Sequence, residues 1–408
     1  MTGAAAEDPR LVAEKEGVGG LIALYRTRVT QGELGQLPVV IGLALIWAVF
    51  WWASHGAFFN PLNMVNLALQ MAAVGTIAVG VVFVLLLGEI DLTVGIVSGL
   101  CAAVMAVLNI KLGLPGPVAV LAGLGVGLAI GFFQGMWITR FGIPSFVVTL
   151  AGLIGWAGTL LFVLGSTGTL NLTDDFIVGL AGTFFTGGAA WLIGAIFVAY
   201  IASAGYLERR GRVAAGLRAE PLFFIGFRVA VVALGVVGAI LIFGEDRGLP
   251  LSLVFLVGLI VVMDYVARRT RFGRMVFAVG GNAEAARRAG IPIRRVRVVV
   301  FMLASTFAAW GGILAASRLL AVNQSAGSGD VLLNAIASAV IGGTSLFGGR
   351  GSVWAALLGI LVIQSISNGM DLLSFEPAVK QMITGSVLLA AVTIDAIARR
   401  GRAQAGRV

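Results

Sequence analysis

The chain has 408 residues, of which 59% are hydrophobic and only 12% charged, and its mean hydropathy is +1.01. A soluble domain is nearer half apolar and a quarter charged, so this composition excludes a water-soluble globule and makes lipid the solvent. The formal charge of +9 sits in Arg-rich clusters between apolar runs, the positive-inside pattern of membrane proteins rather than a nucleic-acid surface, and one cysteine and one histidine exclude a disulfide framework or a Cys/His metal centre.

Residues 1–36 are polar and mixed in charge (Glu14, Lys15, Glu16, Arg26, Arg28). They lack the short apolar core of a cleavable signal and read as a cytoplasmic N-terminal segment. A helix needs about 20 apolar residues to cross a hydrocarbon core of about 30 Å. On that criterion spans fall at 37–54, 64–87, 92–109, 116–138, 145–165, 179–203, 224–243, 250–267, 298–317, 332–347, 351–369 and 377–397. The expected fold is therefore all-α: a polytopic membrane domain over 37–397 with about 10–12 transmembrane helices, then a basic cytoplasmic tail, 398–408. His55 flanks the first span and reads as interfacial; Cys101 lies inside an apolar run.

The connection after the second span reads GEIDLTVG, Gly88 to Gly95. Glu89 and Asp91 stand between long apolar runs, where a carboxylate costs about 2.5–3.5 kcal/mol and is usually functional. Asp91 has two readings that can both hold. It can be the N-cap of the third span, or it can face a pathway through a broken helix with Glu89 and Thr93. Carboxylates and free backbone groups suit solutes rich in hydroxyls, which both donate and accept. The fourth span carries Gly123, Gly127, Gly131 and Gly135, four residues apart on one face, a close-packing helix surface with no role in the chemistry.

Between 268 and 297 the chain is too polar to span. Asn282 is a good N-cap, Glu284 suits the first turn, the alanines are strong helix formers, and Gly290 with Pro292 supplies the stop. A short cytoplasmic helix over 283–289, ringed by arginines, is expected. The spans 332–347 and 351–369 are short and Gly-interrupted, and one or both are expected to be re-entrant. Between them GGTSLFGGRGS (Gly342 to Ser352) echoes GEIDLTVGIVS (Gly88 to Ser98), with Thr344 and Ser345 as its polar groups. Paired broken segments in two halves of a transporter mark a transport site.

Charge tests this topology. With the N-terminus inside and alternating sides, the clusters at Arg26–Arg28, Arg140, Arg209–Arg218, Arg268–Arg297, Arg350 and Arg399–Arg407 all fall in the cytoplasm, as do both termini. Asp174, Asp175, Glu245, Asp246, Asp371 and Glu376 fall outside.

From about residue 60 to 397 the chain resembles the permease subunits of bacterial ABC sugar importers of the ribose, galactose and xylose type. GEIDLTVG, FGRMVFAVGGNAEAARRAGI and IGGTSLFGGRGS carry the likeness. The resemblance implies that Gly280 to Gly290 is the coupling segment that docks into the ATPase, with Gly281, Asn282, Glu284, Ala285, Arg287, Arg288 and Gly290 as its contact and shaping residues. It implies a cytoplasmic ABC ATPase and an extracytoplasmic, periplasmic sugar-binding protein as partners, a permease homodimer, and residence in the bacterial plasma (inner) membrane. It implies no cofactor on this chain, ATP and Mg2+ being used by the ATPase. Glu89 and Thr93 stand where the ribose-type pattern has Gly and Ser, and an insertion spans 179–243. Both features look more like the xylose branch, so xylose or a related pentose is the expected cargo.

Two other classes compete. Lys15, Lys111 and Lys380 follow Glu14, Ile110 and Val379, so no P-loop lysine occurs and ATP must be hydrolysed elsewhere. An ion-coupled secondary transporter would use intramembrane charges, for which Glu89, Asp91, Asp264, Lys380 and Asp395 are the candidates, although Asp264 and Asp395 lie beside arginines near cytoplasmic span ends. A membrane enzyme finds no metal-ligand spacing or nucleophile motif. The chain itself is expected not to be an enzyme.

Overall fold

A computed structural model describes residues 37–216, 219 and 221–404. The segment 1–36, expected to be cytoplasmic, and the end of the basic tail lie outside these residues. Fifteen helices follow in chain order: α1 (Leu37–Ala53), α2 (Pro61–Leu86), α3 (Val94–Ile110), α4 (Gly116–Phe141), α5 (Ser145–Leu164), α6 (Asp175–Gly182), α7 (Gly187–Ala214), α8 (Leu222–Gly244), α9 (Leu251–Arg269), α10 (Arg271–Gly281), α11 (Ala283–Arg288), α12 (Ile293–Leu319), α13 (Asp330–Ile341), α14 (Trp354–Leu372) and α15 (Pro377–Gln404). Four strands of two or three residues, β1 (Thr169–Asn171), β2 (Phe184–Phe185), β3 (Leu249–Pro250) and β4 (Ala321–Asn323), pair antiparallel as β1 with β4 and β2 with β3. The chain is an all-α polytopic membrane protein. Among the described residues eight helices are long and apolar enough to cross a membrane: α2, α4, α5, α7, α8, α9, α12 and α14. Shorter apolar helices occur at Pro38–Ala53, Val94–Ile110 and Asp330–Ile341.

Contacts divide the described chain into two compact units. The larger comprises 36–186 and 243–397 and is built on α2 and α12. Helix α2 is apolar on every side, as a helix enclosed by others must be, and nearly all of it is buried, from Met64 to Leu86. Helix α12 runs beside it, and α4 lies on α12 through its glycines. A Cβ at Gly127 would stand 2.7 Å from the Ser305 carbonyl oxygen, one at Gly131 2.4 Å from that of Phe301, and one at Gly135 2.8 Å from Val298 Cα. Gly123 meets the Cys101 carbonyl of α3 at 3.0 Å instead. The absence of side chains along this face lets the two backbones touch.

The second unit, within 187–242, is formed by α7 and α8. A Cβ at Gly194 would meet Ile240 at 2.6 Å and one at Gly205 would meet Ile225 at 3.0 Å, so the pair runs antiparallel. Large apolar side chains such as Trp191, Phe227 and Leu234 stay exposed on it, as expected of helices whose solvent is lipid. This unit falls within the stretch set apart by sequence as an insertion. The single span expected at 179–203 is divided, however. Thr183 to Thr186 leave the helix because β2 pairs with β3 and the Leu251 amide donates to the Thr183 carbonyl. Helix α6, about 12 Å long, is a capped, partly buried plug and not a span. Asp174 accepts from the amides of Phe176 and Ile177 at its N-terminus, and the Ala181 amide donates to Ser317 Oγ near its end.

Candidate functional site

The first broken segment lies inside the body of the bundle. Adjacent residues of α12, Gly311 and Gly312, touch the Ala73 carbonyl of α2 and the Ser98 carbonyl of α3. From Ala73, α2 continues about 20 Å to its end at Leu86, whereas α3 begins at Val94 only about 6 Å before Ser98. Leu87, Gly88 and Glu89 still donate to the last turn of α2, and residues 90–93 then pass to α3 without helical hydrogen bonds.

Backbone polar groups in such a segment must find partners within the protein. Gly88 turns at φ +74°. The Ile90 amide donates to Ser145 Oγ at 3.2 Å, and Thr149 Oγ1 donates to the Ile90 carbonyl at 3.4 Å. Asp91 Oδ1 accepts from the Thr93 amide at 2.8 Å and from Thr93 Oγ1 at 2.6 Å. Thr93, not Asp91, occupies the N-cap position of α3, and its side chain caps nothing. Asp91 acts one step earlier, fixing the turn that launches the helix. Gln134 of α4 donates to Thr93 Oγ1 at 3.0 Å. Asp91 and Thr93 are 3% and 0% exposed, and Asp91 Oδ2 and Trp156 Nε1 are buried without a partner among the described residues. Glu89 points elsewhere: its carboxylate pairs with Arg297 of α12 at 2.9 Å.

The second broken segment, 342–353, joins α13 to α14. Gly342 lies on the Ala355 backbone and Gly359 on that of Ser338, so the two helices run antiparallel. Helix α13 is about 18 Å long, too short to cross the core alone. The Thr344 amide donates to the Ala339 carbonyl and the Ser345 amide to that of Arg350, both at 3.0 Å. Thr344 is 1% exposed, and Ser345 Oγ accepts from the Phe347 amide. The two segments that echo each other in sequence are in contact: Gly349 donates to the Leu86 carbonyl at 2.9 Å, and Gly88 lies against Phe347 and Gly348.

The Arg-rich segment is built as two short helices. Thr270 caps α10, whose Gly273, Val276 and Val279 are buried. Asn282, extended at φ −161°, ends α10 and caps α11, its Oδ1 accepting from the Ala285 amide at 2.9 Å. Gly290 at φ +79° stops α11 one residue after Ala289. Only Ala286 of α11 is buried; Gly281, Asn282, Glu284, Ala285, Arg287, Arg288 and Gly290 face outward. Glu284 is shared by Arg288 at 3.4 Å and Arg287 at 3.7 Å, exposed pairs of small energetic value.

Of the remaining charges considered for ion coupling, Asp264 pairs with Arg268 at 2.8 Å and Lys380 pairs with Asp371. The side chain of Asp395 lies outside the described residues. Gln134, Ser145, Thr149 and Arg297 complete the site beyond the residues read from sequence. Gln134 was detectable as a lone amide in an apolar run. Arg297 was hidden in a basic cluster of which it is the member that turns inward.

A family model described as "Branched-chain amino acid transport system / permease component" matches residues 63–392. The xylose transport system permease protein XylH of Escherichia coli K12 is 36% identical over 368 residues, 90% of this chain and 93% of the relative. XylH of Haemophilus influenzae is 34% identical over 357 residues, 88% and 95% of the two chains. The ribose import permease protein RbsC of Bacillus subtilis is 30% identical over 366 residues, 89% and 94%. No solved structure matches the chain. With a match across three broken or capped segments and nearly the whole length of these permeases, the chain belongs to the family of membrane permease components of ABC sugar importers.

Proposed function

We propose that this chain forms the membrane pathway of an ATP-driven importer for xylose or a related pentose. The observation that carries the reading is the meeting of two broken membrane segments beside an outward-facing capped helix. The break supplies polar groups at depth, and the helix supplies a handle for a motor. The relatives named for xylose transport favour a pentose, as does the presence of Glu89 and Thr93 in the first break.

In this reading a cytoplasmic ABC ATPase grips α11, an extracytoplasmic binding protein delivers the sugar, and two copies of the permease enclose the path in the bacterial inner membrane. Both termini and 268–297 face the cytoplasm. ATP and Mg2+ are used on the ATPase. Asp91 and Thr93, with Thr344 and Ser345, are the polar groups nearest the path. Since Asp91, Thr93 and Thr344 are closed off within the chain, they meet sugar only when the break opens.

Reconstitution tests this. Vesicles holding the permease with its ATPase and binding protein should accumulate labelled xylose when ATP is supplied, with ion gradients collapsed. Uptake by the permease alone, driven by a proton or sodium gradient, would establish a secondary transporter instead. The unpaired Asp91 oxygen is the one observation favouring that second reading, because proton-coupled carriers use buried carboxylates of this kind.

A further inference from the structure

We propose that Gly280, together with the Glu89–Arg297 pair, forms a rigid joint through which α10 and α11 move both broken segments as one body. The proposal rests on the reading of α11 as the ATPase handle. The Leu86 carbonyl, at the end of α2, lacks a helical donor and takes the Gly349 amide of the second break. Gly280, near the end of α10, lies directly over this hydrogen bond. A Cβ there would stand 1.7 Å from the Leu86 oxygen and 2.8 Å from the Gly349 nitrogen. A Cβ at Gly348 would stand 2.6 Å from the Gly280 oxygen and 2.9 Å from the Gly88 nitrogen. Three chain segments thus touch backbone to backbone, with no flexible side chain between them to absorb motion. The next residue, Gly281, has nothing within 4 Å of its Cβ position.

The other side of α11 is tied to the same place. Helix α12 begins at Ile293 and presents Arg297 to Glu89, with side-chain exposures of 32% and 13%. The pair is only partly solvated, so removing one partner would leave the other charge poorly compensated. So α10, before the handle, is interlocked with both breaks, and α12, after it, is bolted to the first. Val276 and Val279 anchor α10 in the core, which makes the arm stiff. A displacement of α11 reaches residues 86–89 and 347–349 through hard contacts. The glycines and the ion pair are positioning residues: they transmit motion to the path and do not touch the sugar.

The test uses the complete importer in vesicles and reads co-purification of the ATPase, ATP hydrolysis, and xylose moved per ATP. Wild type comes first; if it shows no ATP-driven uptake, the importer reading fails and the joint is not at issue. Gly280→Ala should keep the ATPase bound and hydrolysing, yet lower xylose per ATP by at least about fivefold. Gly258→Ala, in α9 where a Cβ meets nothing within 4 Å, should stay within about twofold of wild type. Glu89→Arg and Arg297→Glu should each lower the ratio, and the double exchange should restore it. Wild-type ratios in Gly280→Ala, or loss of ATPase binding rather than of coupling, would overturn the proposal. Should Gly280→Ala fail to reach the membrane, the charge exchange decides alone: restoration of the ratio supports the joint, and a double variant no better than the singles refutes it.

Discussion

The glycine seam between α4 and α12 predicts opposite outcomes for one substitution at two positions of one helix. Gly125 and Gly131 both lie within α4, but a Cβ at Gly125 meets nothing within 4 Å, whereas one at Gly131 stands 2.4 Å from the Phe301 oxygen and 2.6 Å from Met302 Cα. Both obstacles are backbone, so no rotamer change relieves them. Restoring ordinary contact requires the helices to part by about 1 Å, which forfeits a quarter to a half of the dispersion attraction of the atoms involved. Overpacking of this kind costs about 1–3 kcal/mol. Replacing a helical glycine by alanine gains about 0.5–1 kcal/mol through the unfolded chain. Gly125→Ala should therefore equal or exceed wild type in stability, and Gly131→Ala should fall below Gly125→Ala by about 1–3 kcal/mol, the clash set against the same propensity gain. Thermal unfolding of the purified proteins in one detergent, followed by loss of the monodisperse chromatographic peak, reads the order. A Gly131→Ala protein as stable as Gly125→Ala would refute the reasoning, because the seam would then yield without cost.

Asp91→Asn retains an oxygen for the Thr93 amide and should assemble normally, whereas Asp91→Leu removes it and should cut uptake at least about tenfold, since a buried amide left bare costs about 1–3 kcal/mol; normal uptake by Leu would remove Asp91 from the pathway. Gly290→Val forces a β-branched residue to φ +79° and should weaken ATPase co-purification, and Asn282→Ala should do so less, losing a cap worth about 1 kcal/mol. Unchanged binding in both would make 268–297 an ordinary basic loop. A cysteine placed at Ala283 should resist impermeant maleimide in intact cells and react after permeabilisation, against a low background because native Cys101 is buried. Labelling from outside would invert the topology.

Much of this architecture is legible in the sequence because lipid allows few alternatives. Apolar run length marked the long helices, and the cap residues marked α11 to within a residue of its observed end. The division of 179–203 was not legible. Phe184 and Phe185 are as apolar as the helices on either side, and what pulls them out is pairing with Leu249 and Pro250, more than sixty residues away. Glu89 illustrates the same limit in the site. Its charge in an apolar setting marked it correctly as unusual, but sequence could not distinguish a group facing a pathway from one facing Arg297. Asp91 and Thr93 were singled out as polar groups at a break, and their bonds to each other are local, but the bond from Gln134 to Thr93 depends on where α4 lies, and no local pattern encodes that.

The contact between the two breaks gives the sequence echo a physical cause. A helix that stops inside the hydrocarbon region exposes carbonyls that water cannot reach, and each needs a donor from protein. At the first break Ser145, Thr149 and Asp91 satisfy Ile90 and Thr93, but the Leu86 carbonyl is met only by Gly349 of the second break. That hydrogen bond requires two backbones at van der Waals distance, and Gly88 and Gly348 permit it, the latter at φ +83°. Neither segment could be sealed in its observed form without the other. The shared Gly88/Gly342 and Gly95/Gly349 pattern therefore reflects a shared constraint: each break must bring bare backbone close to other backbone. Where such segments must also move during transport, the same glycines that seal the break also decide whether its parts move separately or together, and Gly280 places the driving helix at that point.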